Sequence, residues 1–117
     1  LLQQFKDSTD DLNLLGTGKP LRQFMYAGDL ARIIKIVIEE NITESFNVAC
    51  NENYSINELA TRALESLGKK LYIKYSKPEL DGQYRKDVSC EKLNTIINQF
   101  QFTKYEEGIK KVYDKIS

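Results

Sequence analysis

The sequence contains no histidine and no tryptophan, only two prolines and two cysteines, and no excess of charge of either sign. Each scarcity narrows what the chain can be. Without histidine it lacks the commonest general base and the commonest metal ligand together. An independent hydrolase or metalloenzyme is therefore a poor reading, and no metal site is expected. Cys50 and Cys90 lie outside any CxxC spacing, which argues against a redox or metal motif and for free thiols packed in a reducing compartment. Lys+Arg and Asp+Glu both number 17, whereas a nucleic-acid module should be basic, so no nucleic-acid partner is expected. No apolar run approaches the roughly 20 residues that a membrane span needs. The opening LLQQFKDSTDDL shows neither a basic n-region nor a cleavage pattern. Neither a membrane anchor nor a signal peptide is expected, and the chain reads as cytoplasmic.

What is present is a balance of 41% hydrophobic and 29% charged residues over 117 positions, enough for one modest soluble domain, residues 1–117, and not two. DSTDD (7–11) reads as an acidic loop. LNLL (12–15) reads as a short strand ending at Gly16, and RQFMY (22–26) as a second. In DLARIIKIVIEE, Leu30, Ile33, Ile34, Val37 and Ile38 form an i, i+3, i+4 stripe, which predicts a helix with Asp29 as its N-cap. SFNVAC (45–50) reads as a buried strand. In YSINELATRALESLGKK, Ser55 and Glu58 make a capping box, Ile56, Leu59, Ala60, Ala63, Leu64 and Leu67 make a core face, and Gly68 is the stop. LYIKY (71–75) alternates as an edge strand does. SKPELDGQYRKD is a loop marked by Pro78 and Asp81-Gly82. Ser89 is placed to cap a helix carrying Leu93, Ile96 and Ile97. Thr103 and Glu106 make a second capping box before a last helix through Ile109, Val112, Tyr113 and Ile116. The fold class is α/β (an α+β fragment): short strands with amphipathic helices.

Two absences then matter for function. No GxGxxG follows a strand and opens a helix, so no dinucleotide-binding Rossmann domain is expected, and GTGKP is too short to serve as one. None of the seven tyrosines has a lysine four residues on, so no Tyr-x-x-x-Lys pair is present. The stretch GTGKPLRQFMYAGDLA (16–31) is nonetheless specific. It resembles the segment of extended short-chain dehydrogenases in which a G-[ST]-G turn leads to Arg, an acidic or amide residue, Phe, and then Asp-[LMV]-Ala. FNVACNENYSINELA is similar to the strand-loop-helix that follows. DGQYRKDVSCEKLN resembles the DG-x-x-[RK]-K segment of the GDP-L-fucose synthase family, and FQFTKYEEGIKKVYDKI its closing helix. The resemblance runs from about Asp11 to Ile116.

The resemblance implies the C-terminal substrate lobe of a longer enzyme, with NADPH and the catalytic Ser, Tyr and Lys held by an N-terminal domain. It leaves no cofactor and no catalytic residue on this chain. It implies a GDP-sugar as substrate, a homodimer for the whole enzyme, and epimerisation followed by reduction of GDP-4-keto-6-deoxymannose. Another nucleotide-sugar epimerase, reductase or dehydratase, or a non-catalytic binding module, are the alternatives.

Five residues are candidates for substrate contact. Arg22, beside a glycine turn, reads by position alone first as a strand-end cation paired with Glu or Asp. Its guanidinium can also grip a diphosphate through two parallel hydrogen bonds, and the resemblance implies that role. Asp81, Arg85 and Lys86 share one loop. From Lys69 to Lys86 six basic residues stand against two acidic ones, a local excess able to hold a diphosphate, although such loops are more often simply solvated. The resemblance implies that Lys86 approaches the phosphates and that Asp81 accepts from ribose hydroxyls. Leu15 occupies a position where the family often has an aromatic residue against the ligand. Leucine keeps the apolar contact and loses stacking, worth about 0.5–1.5 kcal/mol. Asp29, Cys50 and Cys90 are expected to have packing or capping roles only.

Overall fold

The computed structural model describes residues 3–4, 10–50 and 52–116. Most of the acidic loop expected at 7–11 lies outside them. Strand β1 (Asp11–Leu15) pairs in parallel with β4 (Tyr72–Ser76), Asp11 opposite Tyr72 and Leu15 opposite Ser76. A second, very short ladder joins β2 (Leu21–Arg22) to β3 (Tyr54–Ser55) in antiparallel. Four helices complete the described fold: α1 (Ala27–Glu39), α2 (Ile56–Ser66), α3 (Glu91–Ile96) and α4 (Tyr105–Ile116), with a 3-10 turn at Pro78–Leu80.

Two apolar clusters form. Alternation in β1 sends Leu12 and Leu14 inward against Ala60, Ala63 and Leu64 of α2, and Ile109 and Tyr113 of α4 close the cluster. The second gathers Ile33 of α1 with Leu93 and Ile97, flanked by Phe46, Val48, Phe100 and Phe102. The α2 face follows the expected periodicity. Its N-terminus is capped as expected, Ser55 Oγ accepting from the Glu58 amide at 3.0 Å, and Gly68, at φ +65°, ends it.

Five expectations are corrected. RQFMY pairs only through Arg22, because beyond it the Gln23 side chain takes over the bonds that a ladder would make. SFNVAC is not a strand: no strand among the described residues pairs with it, and a strand exists only where another supplies the ladder. Phe46 and Val48 pack into the second cluster from irregular chain. Asp29 is not an N-cap. Helix α1 starts two residues earlier, behind Tyr26, and the Asp29 carboxylate turns inward, where Oδ2 accepts from the Thr103 amide at 2.8 Å and Oδ1 from the Thr103 hydroxyl at 2.7 Å and Arg32 at 2.9 Å. Thr103 is thereby withdrawn from capping the last helix, which begins at Tyr105. The fifth shift is small. Helix α3 has Cys90 as N-cap rather than Ser89, whose Oγ accepts from the Glu91 amide at 3.4 Å. Cys90 is buried and Cys50 half-buried, and neither is in a disulfide.

Candidate functional site: a tied basic loop beside a glycine turn

The site begins where β1 ends. Gly16 at φ +90° and Gly18 at φ +77° occupy backbone conformations that side chains rarely adopt. Space demands glycine as well. A Cβ on Gly16 would collide with Asp81 Oδ1, and one on Gly18 would lie 2.6 Å from the Tyr75 ring. The turn therefore passes close under two side chains brought from β4 and the loop after it.

That closeness creates the first anchor. Asp81 accepts from the Thr17 amide at 2.7 Å and from the Thr17 hydroxyl at 2.6 Å. The Thr17 hydroxyl and amide, together with the nearby charges of Lys19 and Arg22, hold its carboxyl below the ordinary carboxylate range. Asp81 is thus ionised at neutral pH and bonded to the chain through both oxygens, each keeping one lone pair for a ligand hydroxyl.

Further along, the Leu21 amide donates to the Tyr84 carbonyl at 2.7 Å, and Leu21 and Arg85 form a parallel bridge. Then Gln23 takes hold of Val88: its Oε1 accepts from the Val88 amide at 2.9 Å, and its Nε2 donates to the Val88 carbonyl at 3.1 Å. Segments 17–23 and 81–88 therefore run side by side. They bring all four polar candidates, Arg22, Asp81, Arg85 and Lys86, into one neighbourhood.

The individual placements differ. Arg22 is half-buried in β2, opposite Tyr54, and its NH1 donates to the Leu21 carbonyl at 2.7 Å. No carboxylate pairs with it among the described residues, the role that position alone would have allowed. Arg85 is drawn to Asp87 at 2.6 Å, and Lys86 is exposed. Leu15 is 64% exposed, so it is not a core residue and its side chain is open to contact. A cavity of about 480 Å³ opens beside the turn, between Thr17, Lys19, Asn57, Tyr75 and Tyr84. Tyr75 donates to Asn57 across its edge.

Sequence reasoning missed Thr17, Lys19, Gln23, Tyr75 and Asn57. Thr17 and Gln23 stood within the motif, but nothing in local sequence says which distant backbone a side chain will meet. The arrangement gathers four cations, Lys19, Arg22, Arg85 and Lys86, against two carboxylates, Asp81 and Asp87, which suits a multiply charged anion. Among the described residues no group of three or more His, Cys, Asp or Glu could hold a metal ion.

The profile of the GDP-mannose 4,6 dehydratase family matches residues 1–109. The chain belongs to this family. It is 35% identical over 109 residues to the GDP-L-fucose synthase of Dictyostelium discoideum, a match covering 88% of this chain and 33% of that protein. It is 30% identical over 106 residues to the GDP-L-colitose synthase of Yersinia pseudotuberculosis, with 86% and 33% covered. The crystal structure of a GDP-L-fucose synthetase from Naegleria fowleri, bound to NADP, superposes on 97% of this chain and 37% of its own length, with a TM-score of 0.85 and 26% identity. The chain therefore spans about a third of the length of these relatives. The relatives are enzymes of nucleotide-sugar chemistry, and a nicotinamide cofactor is bound in one of them.

Proposed function

We propose that this chain is the C-terminal substrate-binding part of an NADPH-dependent nucleotide-sugar epimerase/reductase that converts GDP-4-keto-6-deoxymannose to GDP-L-fucose. Its own task is to hold the nucleoside diphosphate of the substrate. The observation that carries this is the tied loop: Thr17–Asp81, Leu21–Tyr84 and Gln23–Val88 set Arg85 and Lys86 along the segment that carries Arg22. Arg22 supplies the planar fork for a diphosphate, Lys86 a point charge, and exposed Leu15 an apolar contact. Asp81 offers its remaining lone pairs to ribose hydroxyls.

These residues do not fit the dinucleotide itself. The Gly16–Gly18 turn opens onto a two-residue strand and not onto a helix, so it lacks the amide-lined helix N-terminus that cradles a pyrophosphate in dinucleotide folds. The proposal places NADPH and the catalytic residues elsewhere in the enzyme, which is a cytoplasmic homodimer in this reading.

The test is a kinetic assay of the intact protein with NADPH and GDP-4-keto-6-deoxymannose, read as loss of reduced-nicotinamide absorbance, with the product identified by chromatography. GDP-L-fucose is the expected product. Turnover of only a UDP- or dTDP-linked sugar would overturn the assignment.

A further inference from the structure

Between Asp81 and Val88 the chain has no helix or extended ladder. Left untied, such a loop spreads its side chains over many positions, and a ligand binding to it must bear the cost of ordering them. Two of the three ties that prevent this are made by Thr17 and by the Leu21 backbone. The third has a different chemistry. The Gln23 carboxamide takes the Val88 N–H and gives a proton to the Val88 C=O, satisfying both backbone groups of one residue as a strand partner would. The same Nε2 also donates to the Cys50 carbonyl at 3.0 Å, so the tie is itself braced against a third segment. Only a side chain that carries an acceptor and a two-proton donor on one carbon can do this, and among the natural residues that is a primary amide.

We propose that Gln23 is a positioning residue for the diphosphate site. Its carboxamide fixes the far end of the loop and so sets Arg85 and Lys86 against Arg22. The inference rests on the diphosphate reading given above. Gln23 acts through the cations it places and not by touching the nucleotide sugar.

The experiment is isothermal titration of the intact protein with GDP, beside steady-state kinetics and circular dichroism. Gln23→Met removes the amide and keeps the length. It should weaken GDP binding about tenfold, in line with the loss of a tie of ordinary hydrogen-bond strength, while kcat changes less than about twofold, since a non-reacting diphosphate is held equally in ground and transition states. Gln23→Glu keeps the acceptor for the Val88 amide but turns its second oxygen on the Val88 and Cys50 carbonyls, so it should weaken GDP binding at least as much as Gln23→Met. It serves the same comparison should Gln23→Met fail to fold. In an Arg85→Met/Lys86→Met background, Gln23→Met should add almost nothing, because the groups it positions are gone. A glutamine that only stabilises the fold would lower the melting temperature, leave GDP affinity alone and act additively. Wild-type affinity in Gln23→Met, or a full-sized effect in the doubly substituted background, overturns the inference. Arg22→Ala is measured in parallel. If it too binds GDP like wild type, the diphosphate reading falls and this inference with it. If Arg22→Ala weakens binding and Gln23→Met does not, the inference falls alone.

Discussion

Arg22 and Asp29 are seven positions apart and illustrate opposite uses of charge. Arg22 has backbone contact on one side and no carboxylate among the described residues, so its guanidinium remains available. On the proposed diphosphate reading, Arg22→Ala in the intact protein should raise KM for the GDP-sugar roughly ten- to a hundredfold, the loss of about 1.5–3 kcal/mol of charge-assisted hydrogen bonding, with kcat little changed. Arg22→Lys should recover only part, because an ammonium cannot form the fork. An Arg22→Ala enzyme with the wild-type KM would make Arg22 a structural strand-end residue. Asp29 has no solvent exposure and is spent entirely on the fold. Burial pushes its carboxyl up, but the Thr103 hydroxyl and amide and the Arg32 guanidinium outweigh that, and its pKa lies below the ordinary value. A depressed pKa stabilises the folded chain above the unfolded value, near 4, and that contribution is lost as pH falls through the folded value. Asp29→Asn should therefore cost about 1–3 kcal/mol at neutral pH, since the amide presents a donor to groups that are themselves donors. The gap between the variant and wild type should close below about pH 4. Urea titrations across pH 2.5–7 would show it, and a gap independent of pH would refute the assignment.

At the scale of elements, the two ends of α2 are held differently. Its start is local: Ser55 and Glu58 cap it within one turn, and Ser55→Ala should lower stability by about 1 kcal/mol, measured by denaturant midpoint. Its flank is tied to α4. Arg62 lies over the Tyr54 ring at 4.3 Å and binds Glu106 through Nε at 2.8 Å. Glu106 was expected to close a capping box with Thr103, yet Thr103 went to Asp29 and Glu106 to Arg62. Both sequence signals were real hydrogen-bonding groups, but each found a tertiary partner better placed than its local one. The Arg62–Glu106 pair is partly solvated, with 30% and 39% of the two side chains exposed, so Glu106→Gln should cost less than about 1 kcal/mol. Burial lifts the neighbouring Tyr105 hydroxyl to about 12, and that hydroxyl donates to the Leu59 carbonyl.

The whole molecule is a plate, not a sphere. Its extents are 49 × 31 × 17 Å and its radius of gyration 16.3 Å, where a compact chain of this length would have about 13 Å. A body this thin cannot bury both sides of its elements. Helix α1 shows the result: Ile33, Ile36 and Val37 pack inward, while Leu30, Ile34 and Ile38 lie exposed at 38%, 50% and 71%. The 117-residue chain taken alone should therefore self-associate. Light scattering should give an apparent mass that rises with concentration, and Ile34→Lys with Ile38→Glu should bring it back toward the monomer. A strictly monomeric chain at millimolar concentration would show that this surface is tolerated in water.

Helix periodicity was legible in the sequence because it is a local quantity. The α2 stripe at i, i+3 and i+4 buries Leu59, Ala60, Ala63 and Leu64 as its spacing predicts, and Gly68 stops that helix through its own positive φ, whereas of the α1 stripe only Ile33 and Val37 pack inward. The glycine turn was legible for the same reason, since Gly16 and Gly18 are needed for their own backbone angles. The resemblance in GTGKPLRQ and DGQYRK named the residues of the proposed anion site without saying how they meet. Only the tertiary structure decided that meeting. Asp81 reaches Thr17 across 64 residues and Gln23 reaches Val88 across 65, and no window of sequence contains both partners. The failed strands at 23–26 and 45–50 have the same origin. A strand needs a neighbour, and whether one arrives depends on where the rest of the chain goes. Asp29, Thr103 and Glu106 changed roles because a buried carboxylate must find donors, and the nearest in space were not the nearest in sequence.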